Sequence, residues 1–357
     1  MLMLIFDAHL DVAWNALDWN RDYEQPLEAI RATEAGMPGK ARGRNTVCFP
    51  EMRRGEVGIS IMTLLPRLLR DTMPPLQRYH SMVSAYAAVR GQLAYYEILV
   101  ERGVLAWVRN RHELDQALAG WEKGAAPHTP LFFILSMEGA DGVLAPSQVG
   151  EWWQRGLRII GPAHYGVSPY AHGTGTEGGL LPAGYELLRE MERVGMILDV
   201  THLADQSFDE ALDAYHGPVL ASHHNCRALV PHQRQLTDDQ IRRLLERGAV
   251  IGAACDAWML YPGWVRGETS PEVVSMQAIV DHIDHVCQLA GNSLHAAIGS
   301  DLDGGFGTEQ TPHDLQSIAD LQKLATLLAQ RGYTEEDIRN IFYRNWVRFF
   351  RTAWQRN

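Results

Sequence analysis

Eight short apolar runs alternate with longer amphipathic stretches along this 357-residue chain. Strands that pair in parallel need long crossover connections, and amphipathic helices usually provide them. Eight such repeats favour a closed ring of strands over an open sheet. The sequence therefore predicts an α/β fold, a (β/α)8 TIM barrel, with strands at 2–6, 57–65, 131–137, 158–163, 196–200, 219–222, 249–254 and 296–299.

Several predicted helices have recognisable ends. Apolar residues within 114–121 recur at the spacing of one helix face. Thr237 and Gln240 match a capping box, and Gly248 is placed to end that helix. Thr334 opens the last helix with the same pattern. These signals support helices between and after the strands.

The stretch between the second and third strands is longer than a barrel repeat needs. A helical region over 77–102 and the following segments 105–108 and 112–121 are predicted to form an elaboration there. No proline-rich linker or break in composition divides the chain. We therefore expect residues 1–357 to form a single domain.

Composition excludes several classes of protein. A formal net charge of −11 argues against general nucleic-acid binding, which needs a basic face. No apolar stretch reaches the length of a membrane span, and the N-terminal run is broken at Asp7, unlike a signal peptide. No two cysteines form a C-x-x-C pair, which fits a reducing compartment. The cysteines are Cys48, Cys226, Cys255 and Cys287. We expect a cytoplasmic protein that binds neither nucleic acid nor a membrane.

Residues able to bind a metal follow most of the predicted strands. Barrel enzymes place their chemistry at the carboxyl ends of strands. A lone histidine there is more often structural, but recurrence at equivalent positions favours a metal site. In strand order these residues are His9 and Asp11, Glu138, His164, His202, His223 or His224, and Asp301 or Asp303.

The spacing of these residues predicts which side chains point to the same face of a strand. His9 and Asp11 are two residues apart, so on a strand both side chains point to the same face. An imidazole and a carboxylate buried together are costly without a partner, and a divalent cation can bind both. The alternative is a surface strand end with two unrelated polar residues. Because strand neighbours point to opposite faces, only one of His223 and His224 can face the site.

Taken together and in this order, the motifs resemble the renal or membrane dipeptidase family, peptidase family M19 of the amidohydrolase superfamily. The tail Asn345-Trp346-Val347-Arg348-Phe349-Phe350 is similar to the last helix of that family. The resemblance spans almost the whole chain and implies a barrel of the metal-dependent amidohydrolase type. The matching segments are Asp7-Ala8-His9-Leu10-Asp11, Glu138-Gly139, Asp199-Val200-Thr201-His202, Ser222-His223 and Gly299-Ser300-Asp301-Leu302-Asp303-Gly304.

The resemblance implies two divalent metal ions per chain, expected to be Zn2+. It assigns one ion to His9, Asp11 and Glu138. It assigns the other to Glu138, His202 and His223, so that Glu138 bridges the pair. Each ion then has three protein ligands and an open position for water. Two cations sharing a water would lower its pKa from ~15.7 towards ~7, giving a hydroxide at neutral pH.

The resemblance also assigns roles in catalysis and substrate binding. Asp301 corresponds to the aspartate that relays a proton from the water to the leaving amine, with Asp303 as a rival. His164 corresponds to a substrate-binding histidine that polarises the scissile carbonyl or supports the developing oxyanion. Arg234 corresponds to the arginine that holds the terminal carboxylate. Each has a structural alternative: a loop-capping aspartate, a satisfied histidine and a solvated arginine. Asp7 could support a metal ligand or bond only to backbone.

The predicted function is zinc-dependent hydrolysis of free dipeptides by a metal-bound hydroxide. A dipeptide is the expected small-molecule partner, and the resemblance also allows a homodimer. Another amidohydrolase activity, on N-acyl amino acids or cyclic amides such as β-lactams, would use the same site. A non-catalytic binding protein on this fold should lack ligands, whereas every expected ligand type is present here.

One motif is set aside. Gly173-Thr174-Gly175-Thr176-Glu177-Gly178 matches G-x-G-x-x-G, but it follows no predicted strand. We predict a loop near the rim of the site rather than a dinucleotide-binding turn.

Overall fold

A curled sheet of parallel strands forms the centre of the protein. The structure is a computed structural model that describes residues 2–66, 79–122, 124, 126 and 128–356. The strands are β1 (Ile5–Leu10), β2 (Val57–Leu64), β3 (Leu105–Trp107), β4 (Leu131–Glu138), β5 (Leu157–Gly161), β6 (Ile197–Asp199), β7 (Val219–Leu220), β8 (Ile251–Ala253) and β9 (Ala296–Ile298).

The strands follow one another around a ring. The order β1-β2-β4-β5-β6-β7 is continuous, and β8 pairs with β9. A parallel bridge between Ala221 and Ile251 joins β7 to β8. At the junction of β9 with β1, Asp7 Oδ1 accepts from Ser300 N at 2.8 Å and Asp7 Oδ2 from Ser300 Oγ at 2.5 Å. These contacts complete the ring, and the predicted (β/α)8 TIM barrel is confirmed.

Helices connect the strands and cover the ring. The capping boxes predicted at Thr237 and Thr334 are both present. The helices are α1 (Val12–Asp18), α2 (Leu27–Thr33), α3 (Phe49–Arg54), α4 (Met82–Glu101), α5 (Arg111–Trp121), α6 (Val149–Gln154), α7 (Pro182–Val194), α8 (Asp205–Ala214), α9 (Asp238–Glu246), α10 (Ala257–Leu260), α11 (Gln277–Ala290), α12 (Lys323–Gln330), α13 (Glu335–Arg339) and α14 (Asn345–Ala353).

Most predicted boundaries differ from the structure by one or two residues, and two larger differences have a physical reason. Strand β1 does not end at residue 6 but runs through His9 to Leu10, because hydrogen bonds to Asp7 allow polar residues inside a fully buried strand. The elaboration contains β3, a strand of three residues that pairs with the start of β4 and is too short to show alternation. The predicted helix start at residue 77 lies outside the described residues.

The last helix fastens the barrel across the junction of β9 and β1. The Phe6 ring stacks on Phe350 with centroids 5.6 Å apart. Trp346 is fully buried, and its Nε1 donates to the carbonyl of Ile298 at 3.0 Å. Each fully buried aromatic or aliphatic side chain of this kind contributes about 1.5–3 kcal/mol. The family-like tail of the sequence is therefore part of the core.

Among the described helices, none has both the length and the apolar content that crossing a bilayer would require.

We expect Asn345→Ala to lower the free energy of unfolding by about 2–4 kcal/mol. The buried Asn345 Nδ2 donates to the carbonyls of Ser293 at 2.6 Å and Ala296 at 2.8 Å, and both acceptors would lose their donor. Urea unfolding followed by circular dichroism measures the loss. The control is Asn340→Ala, which removes one longer bond of 3.3 Å to Ser293 Oγ. Equal losses in the two variants would contradict this account of the α14 anchor.

Candidate active site

Four imidazoles converge on one carboxylate oxygen, at the carboxyl ends of the barrel strands. Glu138 Oε1, at the end of β4, lies 3.1 Å from His202 Nε2 and 3.4 Å from His223 Nε2. It lies 3.6 Å from His9 Nε2 and 3.7 Å from His164 Nε2. These histidines lie on β1 and just beyond β5, β6 and β7. Sequence positions more than 200 residues apart thus meet at one atom.

Two further carboxylates reach the same cluster. Asp11 Oδ1 is 3.7 Å from His9 Nε2, and Asp301 Oδ1 is 3.9 Å from the same nitrogen. Glu138 is only 9% exposed. The structure therefore brings together all the residues for which the sequence predicted metal binding: His9, Asp11, Glu138, His202 and His223.

Hydroxyl groups contact the rings and a carboxylate of this cluster. Ser222 Oγ lies 3.0 Å from His223 Nδ1, and Thr174 Oγ1 lies 3.0 Å from His202 Nδ1. Thr63 Oγ1, on β2, donates to Asp11 Oδ1. Partners of this kind fix the orientation of a ligand and leave its other face free for a cation.

The backbone is strained where two of these side chains are presented. His202 has a φ of 70° and Asp301 a φ of 56°, values that residues other than glycine rarely adopt. Such residues cost about 1–3 kcal/mol each and persist only where the surroundings enforce them. The turn after Asp301 also requires glycine, because a Cβ on Gly304 would lie 1.9 Å from Asp301 Oδ1.

Glu138 and His9 stabilise each other's charged forms within the cluster. Burial acts to raise the pKa of Glu138, but His164 and His9 outweigh it and hold that pKa well below its usual value. Burial also opposes a charge on His9, yet Glu138 and Asp11 raise the pKa of the imidazole to about 10. The carboxylates thus create a site where positive charge is strongly favoured.

Two of the other three rings, His202 and His223, are held neutral. Burial, followed by the charge of Arg234, lowers the pKa of His202 well below its usual value. Burial, with His9 and Arg234 adding to it, does the same for the pKa of His223. Neutral imidazole is the form that binds a metal ion.

The residues present fit a divalent metal. His9 Nε2 is buried without a hydrogen-bond partner among the residues that the structure describes, although carboxylates surround it. A divalent cation would satisfy this nitrogen and offset the clustered negative charge. Three overlapping groups have ligand atoms within 4.8 Å of one another: His9 with Asp11 and Glu138, His9 with His223 and Asp301, and Glu138 with His164 and His202.

Arg234 lies beside the two neutral histidines. It is 2% exposed, and its Nη2 donates to the carbonyl of His223 at 2.8 Å. The same nitrogen lies 3.4 Å from His202 Nε2. Its Nη1 is buried and has no hydrogen-bond partner within the described part of the chain. A solvated surface arginine, the alternative considered from the sequence, is not what the structure contains.

The rivals considered from the sequence lie elsewhere. Asp303 accepts from Thr46 N at 2.6 Å and Tyr23 OH at 3.0 Å, and it faces Arg21 rather than the cluster. His224 is buried outside the candidate metal groups of the described residues. Asp7 accepts from Ser300 and from His9 N, so its bonds are to the β9–β1 junction and to backbone.

Sequence reasoning missed the residues that orient the site. Thr174 belongs to the G-x-G-x-x-G loop, which folds over β6 through a bridge between Gly173 and Leu203. Tyr165 packs its ring 5.1 Å from that of His202. The position of Thr63 could have identified it, because a polar residue near the end of the second strand is placed like the other candidates. No candidate was sought on that strand. For Thr174 the local sequence contained no signal.

Residues 2–357 match the model of the membrane dipeptidase family, peptidase family M19. A dipeptidase of Schizosaccharomyces pombe, itself uncharacterized, is 30% identical over 228 residues, which is 62% of this chain and 53% of that protein. Dipeptidase tcpJ of Claviceps purpurea is 30% identical over 227 residues, 60% of this chain and 50% of that one. The matched regions thus span about half the length of these two relatives.

Solved structures share the fold. Dipeptidase AC, a metallopeptidase of family M19, has a TM-score of 0.81 at 23% identity, covering 99% of both chains. A metallopeptidase of Rhodobacter sphaeroides, solved with a phosphinate mimic of the dipeptide L-Ala-D-Ala, has a TM-score of 0.80 at 21% identity, covering 99% of this chain and 100% of that one. The resemblance seen in the motifs is confirmed, and this chain belongs to the membrane dipeptidase family, peptidase family M19.

Proposed function

We propose that this protein is a zinc-dependent dipeptidase that hydrolyses the peptide bond of free dipeptides. The observation that carries the proposal is the convergence of four imidazoles on Glu138 Oε1, with the unpaired Nη1 of Arg234 beside them. A cation site next to a buried guanidinium suits a substrate that has both a polarisable carbonyl and a free carboxylate.

Two divalent ions are the proposed cofactors. His9, Asp11 and Glu138 would hold one, and Glu138, His202 and His223 the other. Nitrogen and carboxylate ligands with neutral imidazoles favour zinc, although the donor set also accepts other divalent metals. When bound, such ions supply a water of lowered pKa and polarise the carbonyl oxygen.

Arg234 is proposed to hold the carboxylate of the C-terminal residue. Its Nη2 is fixed by the carbonyl of His223, whereas Nη1 is left to meet an incoming oxygen. Because the guanidinium lies beside His202, the bound carboxylate would be within about one residue of the scissile bond. This geometry would exclude longer peptides and select dipeptides or similar amides.

Asp301 is proposed to carry the proton. Burial, reinforced by Glu138 and Asp11, raises the pKa of Asp301 well above its usual value even though His9 opposes this, so the group can hold a proton. Asp301 accepts a proton from the attacking water while the oxygen atom of that water bonds to the carbonyl carbon. The C–N bond then breaks, and the amine leaves with that proton. His164, facing Glu138, would bind the carbonyl oxygen.

Relatives support this assignment. Two of them are called dipeptidases, and the Rhodobacter sphaeroides protein was solved with a dipeptide mimic. N-acyl amino acids and cyclic amides such as β-lactams would meet the same residues, but neither has a contact here that favours it. A single domain over 1–357, a homodimer and a cytoplasmic location stay predictions. The four free cysteines fit the last of these.

Asp301→Asn should lower kcat for dipeptide hydrolysis by about 10²–10⁴-fold, because an amide cannot take up the proton. Glu138→Ala should abolish activity together with metal binding. A panel of free dipeptides assayed with zinc-loaded protein measures both effects. Asp239→Asn is the matched control, since that carboxylate is 91% exposed on α9. Wild-type turnover in Asp301→Asn or in Glu138→Ala would refute the mechanism.

Affinity for Zn2+ should rise with pH over about pH 6 to 9, by up to about tenfold per pH unit. The pKa of His9 is raised to about 10, so an incoming ion must displace a proton at neutral pH. Raising the pH removes that competition, and affinity increases. Competition with a chromophoric chelator measures the slope. His216→Ala, at an exposed histidine, should keep it. An affinity that is flat or falls over this range would contradict the charge assignment.

A further inference from the structure

One buried hydroxyl lies behind two of the histidines that would hold metal. Ser222 Oγ is 3.0 Å from His223 Nδ1 and 3.5 Å from His9 Nδ1. The two rings present their other nitrogens to Glu138 Oε1, with His223 Nε2 at 3.4 Å and His9 Nε2 at 3.6 Å. In the proposed two-ion site, His9 and His223 belong to different ions. A single oxygen therefore contacts one proposed ligand of each ion.

The backbone places this hydroxyl close to both rings. The two imidazoles lie with centroids 3.7 Å apart, although they come from β1 and from the segment after β7. The carbonyl of Ser222 packs against Gly252 and Gly299, where a Cβ would lie 2.0 Å and 1.8 Å from its oxygen. Asp199 Oδ1 accepts from Ser222 N at 3.2 Å. These backbone contacts fix the serine without using its hydroxyl.

The hydroxyl has the hydrogen-bonding capacity that two metal-bound rings need. An imidazole that binds a cation through Nε2 keeps its proton on Nδ1, so each ring becomes a donor towards Ser222. A serine hydroxyl has two acceptor lone pairs and one proton. The lone pairs can accept from His9 and His223, and the proton can go to Thr201 Oγ1 at 3.3 Å. Ser222 is 1% exposed, so bulk water does not reach this position.

The third proposed ligand ring has a hydroxyl of its own. Thr174 Oγ1 lies 3.0 Å from His202 Nδ1 and 3.3 Å from the carbonyl oxygen of His202. Among the described residues, this hydroxyl contacts no second imidazole. Thr174 thus contacts a ligand of one ion only, whereas Ser222 contacts a ligand of each.

We propose that Ser222 is a positioning residue for both metal ions, with its oxygen accepting the Nδ1–H groups of His9 and His223 at the same time. This inference rests on the proposed two-ion dipeptidase site. Without the hydroxyl, both N–H groups would be buried without that acceptor, and each ring would lose the contact that directs its Nε2 towards Glu138. Both ions would then bind more weakly.

The first test measures zinc affinity by competition with a chromophoric chelator, in a titration that resolves two dissociation constants. Ser222→Ala should raise both constants by about 10–100-fold, the usual effect of removing a hydrogen-bond partner of a metal ligand. Thr174→Val is the matched comparison, since it removes a hydroxyl from His202 alone and should raise only one constant. Circular dichroism and the melting temperature of each metal-free variant check that the fold is retained.

The second test is NMR of zinc-loaded protein with isotopically labelled histidine, which reports the protonated nitrogen of each ring. Wild-type protein should show His9 and His223 protonated on Nδ1 and bound to metal through Nε2. Ser222→Ala should shift two Nδ1–H signals, and Thr174→Val should shift one different signal. A hydroxyl with only a structural role would not produce this pattern. The wild-type spectrum decides the question even where Ser222→Ala does not fold.

The outcomes separate this inference from the proposed function. A rise in only one dissociation constant in Ser222→Ala, unchanged Nδ1–H signals, or metal bound through Nδ1 of His9 or His223 would overturn the role of Ser222 and leave the dipeptidase proposal in place. Wild-type protein that binds fewer than two zinc ions would overturn the two-ion site, and this inference with it.

Discussion

The contact between Glu138 and four imidazoles is the interaction on which the rest of the structure depends. A carboxylate and several histidines buried together are costly in a protein interior, and they are tolerated only when each finds a partner. The barrel provides those partners because its parallel strands all end at one face. Ser222, Thr174 and Thr63 then fix the rings and carboxylates from behind. The positive φ of His202 and of Asp301 adds strain that the surrounding fold must offset.

The charges around this contact are divided between two sides. On the side of β6 and β7, burial, with the charge of Arg234 adding to it, keeps His202 and His223 neutral, and Arg234 Nη1 has no hydrogen-bond partner within the described residues. On the side of β1 and β9, carboxylates collect around His9 and favour positive charge.

The sequence allowed the barrel and the main site residues to be predicted because both arise from short-range pattern. Apolar runs mark buried strands, and His9, Glu138 and His202 stand at or near their ends. What could not be predicted depends on contacts distant in sequence. The partner of Thr174, for example, is 28 residues away. The choice of Asp301 over Asp303 also required the fold, since Asp303 is turned away by Thr46 and Tyr23.

Anomalous X-ray scattering at the zinc absorption edge, from crystals of the zinc-loaded protein, tests the two-metal site most directly. We expect two peaks about 3.5–4 Å apart, one on each side of the Glu138 carboxylate. In crystals of His9→Ala, the peak bounded by His202 and His223 should remain and the peak beside Asp11 should be lost. A single peak in the wild-type protein, no peak near Glu138, or two full peaks in His9→Ala would contradict a pair of ions bridged by Glu138.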